Sequence, residues 1–493
     1  MKEFSKDQII DKSQLRIKLN DLQYRYDVYQ MINIFLPFKD ILFVEDGEAD
    51  FEFIIDEDEV LINSQIINKS YKVHKKYKFK DEIKKGIFLY FEEITGKFMP
   101  WGTRIGIRPS KIAMSMLMEG KKDEEIIEYF KETSLTDFEK AKLCIEVAKR
   151  EIKYINPNKN KVSLYISMAF CPTRCLYCSF ASNPIGGFKK DIVEEYLGAL
   201  RKEISTISQY LKEKNISIHT IYFGGGTPTA IDEEQFHSLM NHIYDNFILG
   251  FEPEEFTVEC GRPDSITYKK LESMKKYGVT RISINPQTMN DETLKLIGRN
   301  HSYSDIIEVF KLARTMGFDD INMDVIVGLP GEKTAHVRKT CEYIRELKPD
   351  SFTVHGLSVK RASRLYENII NNIKYEIATQ DELNLMFKET SNLAKDLDIK
   401  PYYMYRQKNM VGNMENVGYS KQGKESIYNI EMMEDKETIV AVGADAVTKV
   451  VYLENGKIER CGNVKDVYDY IKRIDEMIEK KINLLETLYY NAD

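Results

Sequence analysis

Cys171, Cys175 and Cys178 fall within eight residues, in the run Tyr165-Ile-Ser-Met-Ala-Phe-Cys-Pro-Thr-Arg-Cys-Leu-Tyr-Cys-Ser-Phe180. A C-x-x-x-C-x-x-C loop brings three thiolates close enough to wrap one inorganic cluster. A structural zinc would want a fourth Cys or His nearby, and the nearest histidine in sequence is His219. A redox disulfide needs two cysteines rather than three. A 4Fe–4S cube takes four thiolates, so three leave one iron open to bind and activate a ligand. The spacing therefore predicts an iron–sulfur cluster. The other four cysteines (Cys144, Cys260, Cys341, Cys461) are scattered and read as small buried apolar residues.

Such a loop needs a scaffold, and the pattern around it supplies one. Strand-length apolar runs at 162–170, 218–223, 256–260, 281–284, 321–327 and 352–357 alternate with amphipathic stretches at 192–211, 234–246, 265–277, 305–316 and 334–347. Strand–helix units in series predict a parallel sheet with right-handed crossovers. A curved, incomplete (β/α)6 barrel fits best, because such barrels gather chemistry at the C-terminal ends of their strands. The cysteine loop follows the first strand, and Gly224-Gly-Gly-Thr-Pro-Thr229 follows the second. The third ends at Glu259, the fourth leads to Gln287, the fifth contains Asp324, and the sixth carries His355. The glycines could form only a tight turn, but no Gly-Lys-Ser/Thr follows to make a phosphate loop. Asp324 inside an apolar strand needs a partner, for which a ribose hydroxyl or an arginine would serve. For Glu259 and Arg299 the alternatives are a ligand or a salt bridge.

The barrel (160–377) is flanked by two further regions, giving an α/β core with an α+β N-terminal domain and a mixed C-terminal extension. Residues 1–155 read as an opening helix over 14–35, an antiparallel meander, and helices near 80–95, 109–131 and 136–153, followed by a turn-rich linker at 154–161. Residues 378–493 read as a substrate-covering region ending in a long amphipathic helix over 464–490. The length of 493 residues sets a prior of about three domains or one large barrel with appendages. The composition, 43% hydrophobic and 30% charged, is that of a globular protein. The net charge of −7 argues against a nucleic-acid binder. No apolar run approaches the ~20 residues of a membrane-spanning helix, and the start lacks a secretory layout. The chain is expected in the cytoplasm, away from membranes.

The cysteine loop resembles that of the radical S-adenosylmethionine superfamily. The resemblance implies that the open iron chelates the amino and carboxylate groups of S-adenosylmethionine, and that an electron from the cluster cleaves the sulfonium to a 5′-deoxyadenosyl radical. It places Tyr177 against the adenine. Over residues 160–470 the sequence is similar to the oxygen-independent coproporphyrinogen III oxidase group. The matching segments are Tyr165 six residues before Cys171, the Gly-Gly-Gly-Thr-Pro-Thr run, the Glu259 strand, Arg281-Ile-Ser-Ile-Asn-Pro-Gln287, Arg299, and Asn322-Met-Asp324 before Gly-Leu-Pro. Pro100-Trp-Gly-Thr-Arg-Ile-Gly-Ile-Arg-Pro109 and Tyr403-Met-Tyr-Arg-Gln-Lys-Asn-Met-Val-Gly-Asn-Met-Glu-Asn-Val-Gly-Tyr419 point to its HemZ-type branch.

That resemblance implies several roles. Gln287 and Asp324 hold the ribose, Arg299 the methionine carboxylate, and Gly225, Gly226 and Thr227 the amino group. Glu259 orients the methionine end, and Tyr165 belongs with the catalytic and cofactor-binding residues. The implied reaction oxidatively decarboxylates two propionates of coproporphyrinogen III to vinyl groups, giving protoporphyrinogen IX in heme biosynthesis, with a small redox protein as electron donor. A four-carboxylate substrate calls for cations of good geometry, and Arg361, Arg364, Arg406 and Lys408 are the candidates. Two departures stand out. Phe180 occupies the position of a fourth cysteine in established oxidases, and Ala169 replaces a usual proline. Phenylalanine at 180 is shared with heme-chaperone relatives, so a heme-binding chaperone and a radical enzyme acting on another tetrapyrrole are the alternatives.

Overall fold

In the computed structural model, which describes residues 9–10, 12–37, 39–105, 108–407 and 410–490 (489 and 490 by backbone only), the chain divides into two units. The first runs to Lys149 and takes in Ala378–Leu385 and Tyr405–Glu415; the second comprises Arg150–Ile377, Met386–Met404 and the chain from Asn416 onward.

The first unit is built on a five-stranded sheet. It contains β1 (Gln14–Leu19), α1 (Arg25–Phe35), β2 (Asp40–Phe43), β3 (Phe51–Ile55), β4 (Glu59–Ser64), β5 (Lys69–Lys72) and α2 (Phe79–Thr95). Its order is β2-β1-β3-β4-β5. The helix expected over 14–35 thus begins as a strand, and the helix is confined to Arg25–Phe35. Leu15, Ile17 and Leu19 alternate with exposed or half-buried neighbours, the period of a strand with one face on a core. Nor is the sheet a pure meander: β1 runs parallel to both β2 and β3, while β3, β4 and β5 pair antiparallel. Ile32, Phe35, Phe51, Phe53, Ile87 and Phe91 are buried where α1 and α2 cover the sheet. Beyond it, α3 (Ser110–Met118), α4 (Asp123–Ser134) and α5 (Phe138–Glu151) follow, so the single helix expected at 109–131 is broken at Gly120, whose φ of +80° favours glycine.

The second unit carries an eleven-stranded sheet. Its parallel strands β6 (Lys161–Met168), β7 (Ser217–Gly225), β8 (Glu255–Glu259), β9 (Arg281–Ser283), β10 (Ile321–Val327) and β11 (Ser351–Gly356) lie side by side in chain order. The crossovers include α6 (Lys190–Glu213), α7 (Glu233–Ile243), α8 (Tyr268–Lys276), α9 (Asp291–Leu296), α10 (Tyr303–Thr315) and α11 (Thr334–Leu347). This is the α/β core expected from the alternation, open rather than closed. Both edges are extended by later strands. After α12 (Arg364–Ile370), α13 (Gln380–Asp396) and β12 (Lys400–Tyr405), strand β13 (Asn416–Ser420) pairs antiparallel to β11. After α14 (Ile427–Glu434), strand β14 (Thr438–Val442) joins β6 in parallel and leads to the ribbon β15 (Val447–Tyr452) and β16 (Lys457–Gly462). The long terminal helix is two: α15 (Val467–Lys472), capped by Asp466, and α16 (Ile474–Tyr490). Among the described residues no helix is long and apolar enough to cross a membrane.

Candidate functional site

The cysteine loop leaves β6 and is held by backbone from three later segments. Gly226 N–H donates to Met168 O at 2.7 Å and Thr227 N–H to Phe170 O at 2.7 Å. A Cβ on Gly226 would come within 2.4 Å of Phe170 O, and one on Gly225 (φ +90°) within 2.7 Å of Ser167 Oγ. The glycine run is therefore more than a turn. It lets β7 press its backbone onto the base of the loop. Leu176 N–H donates to Ile297 O at 2.9 Å, and the Thr173 hydroxyl to Gly298 O at 2.7 Å. The segment after β11 grips the other side, where Leu365 N–H donates to Leu176 O at 2.9 Å and Arg174 Nη2 to Ala362 O at 2.8 Å.

Cys171 and Cys175 are buried and Cys178 is half-buried. The Thr227 hydroxyl donates to Cys171 Sγ at 3.4 Å, and Ser182 Oγ lies 3.7 Å from Cys178 Sγ. Burial, reinforced by the neighbouring cysteines, pushes the Cys171 thiol up to about 11 against the pull of the Thr227 hydroxyl. Burial likewise raises the Cys178 thiol, and metal coordination removes the cost of ionising such groups.

Arg299 joins this loop to the strand ends. The buried guanidinium donates to Asn285 O at 2.6 Å and to the Tyr177 hydroxyl at 3.3 Å, and its Nε has no partner. Asn285 is a hub that sequence reasoning missed. Its amide donates to Glu259 Oε2 at 2.8 Å, and its Oδ1 accepts from Asp324 N–H at 3.2 Å. Glu259 also accepts from Ser283 Oγ at 3.1 Å and from the Tyr222 hydroxyl. Burial, together with the charge of Asp324, pushes its carboxyl up to about 6. Within the protein Asp324 is met by an amide and an imidazole rather than by an arginine. Asn322 Nδ2 donates to it at 2.8 Å and His355 Nε2 lies 3.6 Å away. Burial would raise its pKa, but these groups together hold it below the ordinary carboxylate value.

Gln287 stands at φ +65°, bridged to Val325, with a buried Oε1 that has no partner. Tyr165 lies beside the stacked pair Tyr222 and Tyr428, whose rings are 4.5 Å apart, with its own centroid 6.3 and 6.2 Å from theirs. Arg262, unremarked in sequence, is buried beside the loop and pairs with Asp264 at 2.7 Å. Its guanidinium also reaches Thr173. Lys360 likewise was missed; burial lowers its ammonium, an effect partly offset by the charge of Cys178. None of these four positions (Asn285, Tyr222, Arg262, Lys360) was legible locally, because what ties each to the site, Thr173 in the case of Arg262, lies far along the chain.

Arg361 and Arg364 are exposed on the segment that grips the cysteine loop. Arg406 requires correction. It belongs to the first unit, where its guanidinium donates to Arg104 O at 2.8 Å and Asn413 O at 2.6 Å and stacks 4.5 Å over Trp101. Trp101 Nε1 in turn donates to Glu415 at 2.6 Å. A fork already committed to buried carbonyls is a folding anchor rather than a carboxylate clamp. Residues of the two branch-marking segments, Trp101 and Arg104 with Arg406, Asn413 and Glu415, thus meet here. Lys408, with Gly106 and Ile107, lies outside the described residues.

Residues 165–344 match the radical SAM superfamily. The chain is 41% identical over 403 residues, covering 80% of it and 79% of the relative, to the oxygen-independent coproporphyrinogen-III oxidase-like protein HemZ of Bacillus subtilis. It is 30% identical to the heme chaperone HemW of the same organism, covering 63% of this chain and 76% of that one. In structure it resembles coproporphyrinogen III oxidase (HemN) of Escherichia coli, a radical SAM enzyme. That match has a TM-score of 0.51 and 19% identity, and covers 66% of this chain and 72% of that one.

Two features of the site fit S-adenosylmethionine beside a three-thiolate cluster: the orphaned buried atoms Gln287 Oε1 and Arg299 Nε, and a glycine cradle that no side chain could fill.

Proposed function

The chain belongs to the radical SAM superfamily, in the oxygen-independent coproporphyrinogen-III oxidase-like group, and we propose that it converts two propionates of coproporphyrinogen III to vinyl groups. It is a radical SAM oxidoreductase whose cofactors are a 4Fe–4S cluster and S-adenosylmethionine. When bound, those cofactors supply a one-electron reductive cleavage that abstracts a hydrogen atom. Each propionate then gives up its β-hydrogen, carbon dioxide and one electron, the last to an external acceptor.

The protein's own part is placement. Cys171, Cys175 and Cys178 hold the cluster, with Thr227 hydrogen-bonded to one sulfur. Arg299 offers a buried cation to a carboxylate, and the Gly225–Thr227 backbone offers polar groups to an amine. Gln287 and Asp324 face the same strand ends and suit ribose hydroxyls. Glu259, fixed by Asn285 and Tyr222, orients the methionine end. Tyr165 stacks on Tyr222 and so supports the Glu259 side of the site. Arg361 and Arg364 anchor the propionates that are kept, since arginine's fork matches a carboxylate. A small redox protein is the proposed electron donor.

The observation that carries this reading is the identity to the oxidase-like relative across four-fifths of the chain. A heme chaperone is the second reading, favoured by Phe180, which is 62% exposed where the oxidases carry a cysteine. An anaerobic assay with reduced cluster, S-adenosylmethionine and coproporphyrinogen III separates the two. The dehydrogenase loses two carbon dioxides per substrate and consumes at least two S-adenosylmethionine molecules. Tight heme binding with no mass loss would overturn it in favour of the carrier. Neither outcome would leave a radical enzyme with another tetrapyrrole substrate.

A further inference from the structure

The far rim of the sheet, at the N-terminal ends of the parallel strands, holds a cluster that the radical chemistry does not use. His219 near the start of β7, Glu431 on α14 and Glu437 just before β14 each place one ligand atom within 4.8 Å of the others. All three are buried, with Glu431 only 1% exposed. Glu431 Oε1 has no hydrogen-bond partner. An orphaned carboxylate oxygen at that depth needs a proton or a cation.

We propose that His219, Glu431 and Glu437 bind a divalent cation of the zinc class, which pins the C-terminal segment to the barrel. One imidazole and two carboxylates are a donor set that suits zinc, with a fourth position for water. The surroundings are those of a metal site. His219 Nδ1 lies 2.8 Å from Glu437 Oε2 and is the ligating nitrogen, while Nε2 lies 3.4 Å from Glu254 Oε2, the outer carboxylate that fixes tautomer and ring orientation. The Ser163 hydroxyl donates to Glu437 Oε1 and is itself 2.6 Å from Thr220 Oγ1, so Glu437 is also held from behind. Lys161 Nζ is the competing cation, 3.8 Å from Glu437 Oε2. A cation here would link β7, α14 and β14, and β14 is the strand that extends the parallel sheet past β6.

The test uses the full chain with its iron–sulfur cluster reconstituted, so that the three cysteines are already occupied. The protein is loaded with zinc, dialysed against metal-free buffer, and counted for zinc and iron separately. About one zinc per chain should remain in the wild type and raise Tm. Glu431→Gln and His219→Gln should retain none, with iron unchanged. Should either variant fold poorly, the exposed Glu254→Gln serves instead; it should weaken zinc binding about tenfold by freeing the imidazole. A wild type that retains no zinc and shows no shift in Tm would overturn the proposal, the orphaned oxygen then being protonated. Zinc retained equally by Glu431→Gln and Glu254→Gln would overturn it too, as binding elsewhere. Cluster loading and cofactor cleavage are read independently, so failure here leaves the radical SAM assignment standing.

Discussion

The Arg299 guanidinium donates from Nη2 to the Tyr177 hydroxyl at 3.3 Å, tying a residue inside the cysteine loop to one 122 positions later. The same guanidinium is anchored on Asn285 O, so loop and strand ends share one rigid cation with an unused Nε. Arg299→Lys keeps the charge and loses the fork. It should weaken S-adenosylmethionine binding by about 1.5–3 kcal/mol, roughly ten- to a hundredfold, with iron content intact. Anaerobic calorimetry measures this; unchanged affinity would remove Arg299 from the cofactor site.

Gln287 combines a left-handed backbone with a buried orphaned amide oxygen. Its N–H donates to Asp324 O at 2.8 Å and its carbonyl accepts from Ile326 N–H at 2.9 Å, which holds the conformation in place. Both Gln287→Ala and Gln287→Gly should lose cofactor affinity. Only the glycine variant escapes the steric cost of positive φ, and it should be more stable than the alanine variant by about 1 kcal/mol. Denaturant melts of the two variants check the backbone half, and binding isotherms the side-chain half.

The cysteine loop, the glycine run and the strand order of the core were legible because each is a local pattern: a spacing, a lack of side chains, an alternation of periods. The β10 segment at 321–327 shows this, since an apolar run of that length between helices has few other readings. What was not legible depends on long-range partners. Arg406 carries a carboxylate-binding look in sequence, yet Trp101 and Asn413 spend its fork. Asn285 carries no signal of its own until Glu259, Asp324 and Arg299 gather on it. Leu15, Ile17 and Leu19 did show a strand period, but the helix that follows after a short turn masked it.

Glu259 makes a pH prediction. Its carboxyl in the folded, cofactor-free protein is pushed up to about 6, above the ordinary value of 4.5. A raised carboxyl favours the protonated folded form, so its contribution is fully present below pH 4.5 and lost as pH rises through about 6. Glu259→Gln should flatten stability across that window and raise it at pH 7 by on the order of 1–2 kcal/mol. The same variant should bind S-adenosylmethionine less well. Melts from pH 4 to 8 with and without cofactor check both signs.

Gly226→Ala probes the contact between β7 and the loop. A Cβ there would sit 2.4 Å from Phe170 O, which is backbone and cannot turn aside. Either the Thr227 N–H to Phe170 O bond breaks or the loop shifts at Cys171. Iron loading should fall well below that of wild type, and stability should drop by about 1–3 kcal/mol from overpacking. Gly187→Ala, with open space around its Cβ, is the matched control and should load iron normally.

The last prediction separates arginines that face a ligand from one that holds the fold. Arg361 and Arg364 are exposed, and their segment is fastened to the cysteine loop through Ala362 O and Leu365 N–H. Removing both guanidinium groups should leave Tm, iron content and S-adenosylmethionine affinity near wild type. It should weaken coproporphyrin binding by about 10- to 100-fold, the scale of a lost charge-assisted pair. Arg406→Ala should do the reverse, because it strands Asn413 O, leaves Arg104 O with only the Asn413 amide, and uncovers Trp101. A loss of about 1–3 kcal/mol per stranded buried group puts that variant among the strongly destabilised. Coproporphyrin affinity measured on its folded fraction should be unchanged. If Arg406→Ala instead keeps its Tm and loses tetrapyrrole, the buried fork opens to substrate and Arg406 returns to the binding site.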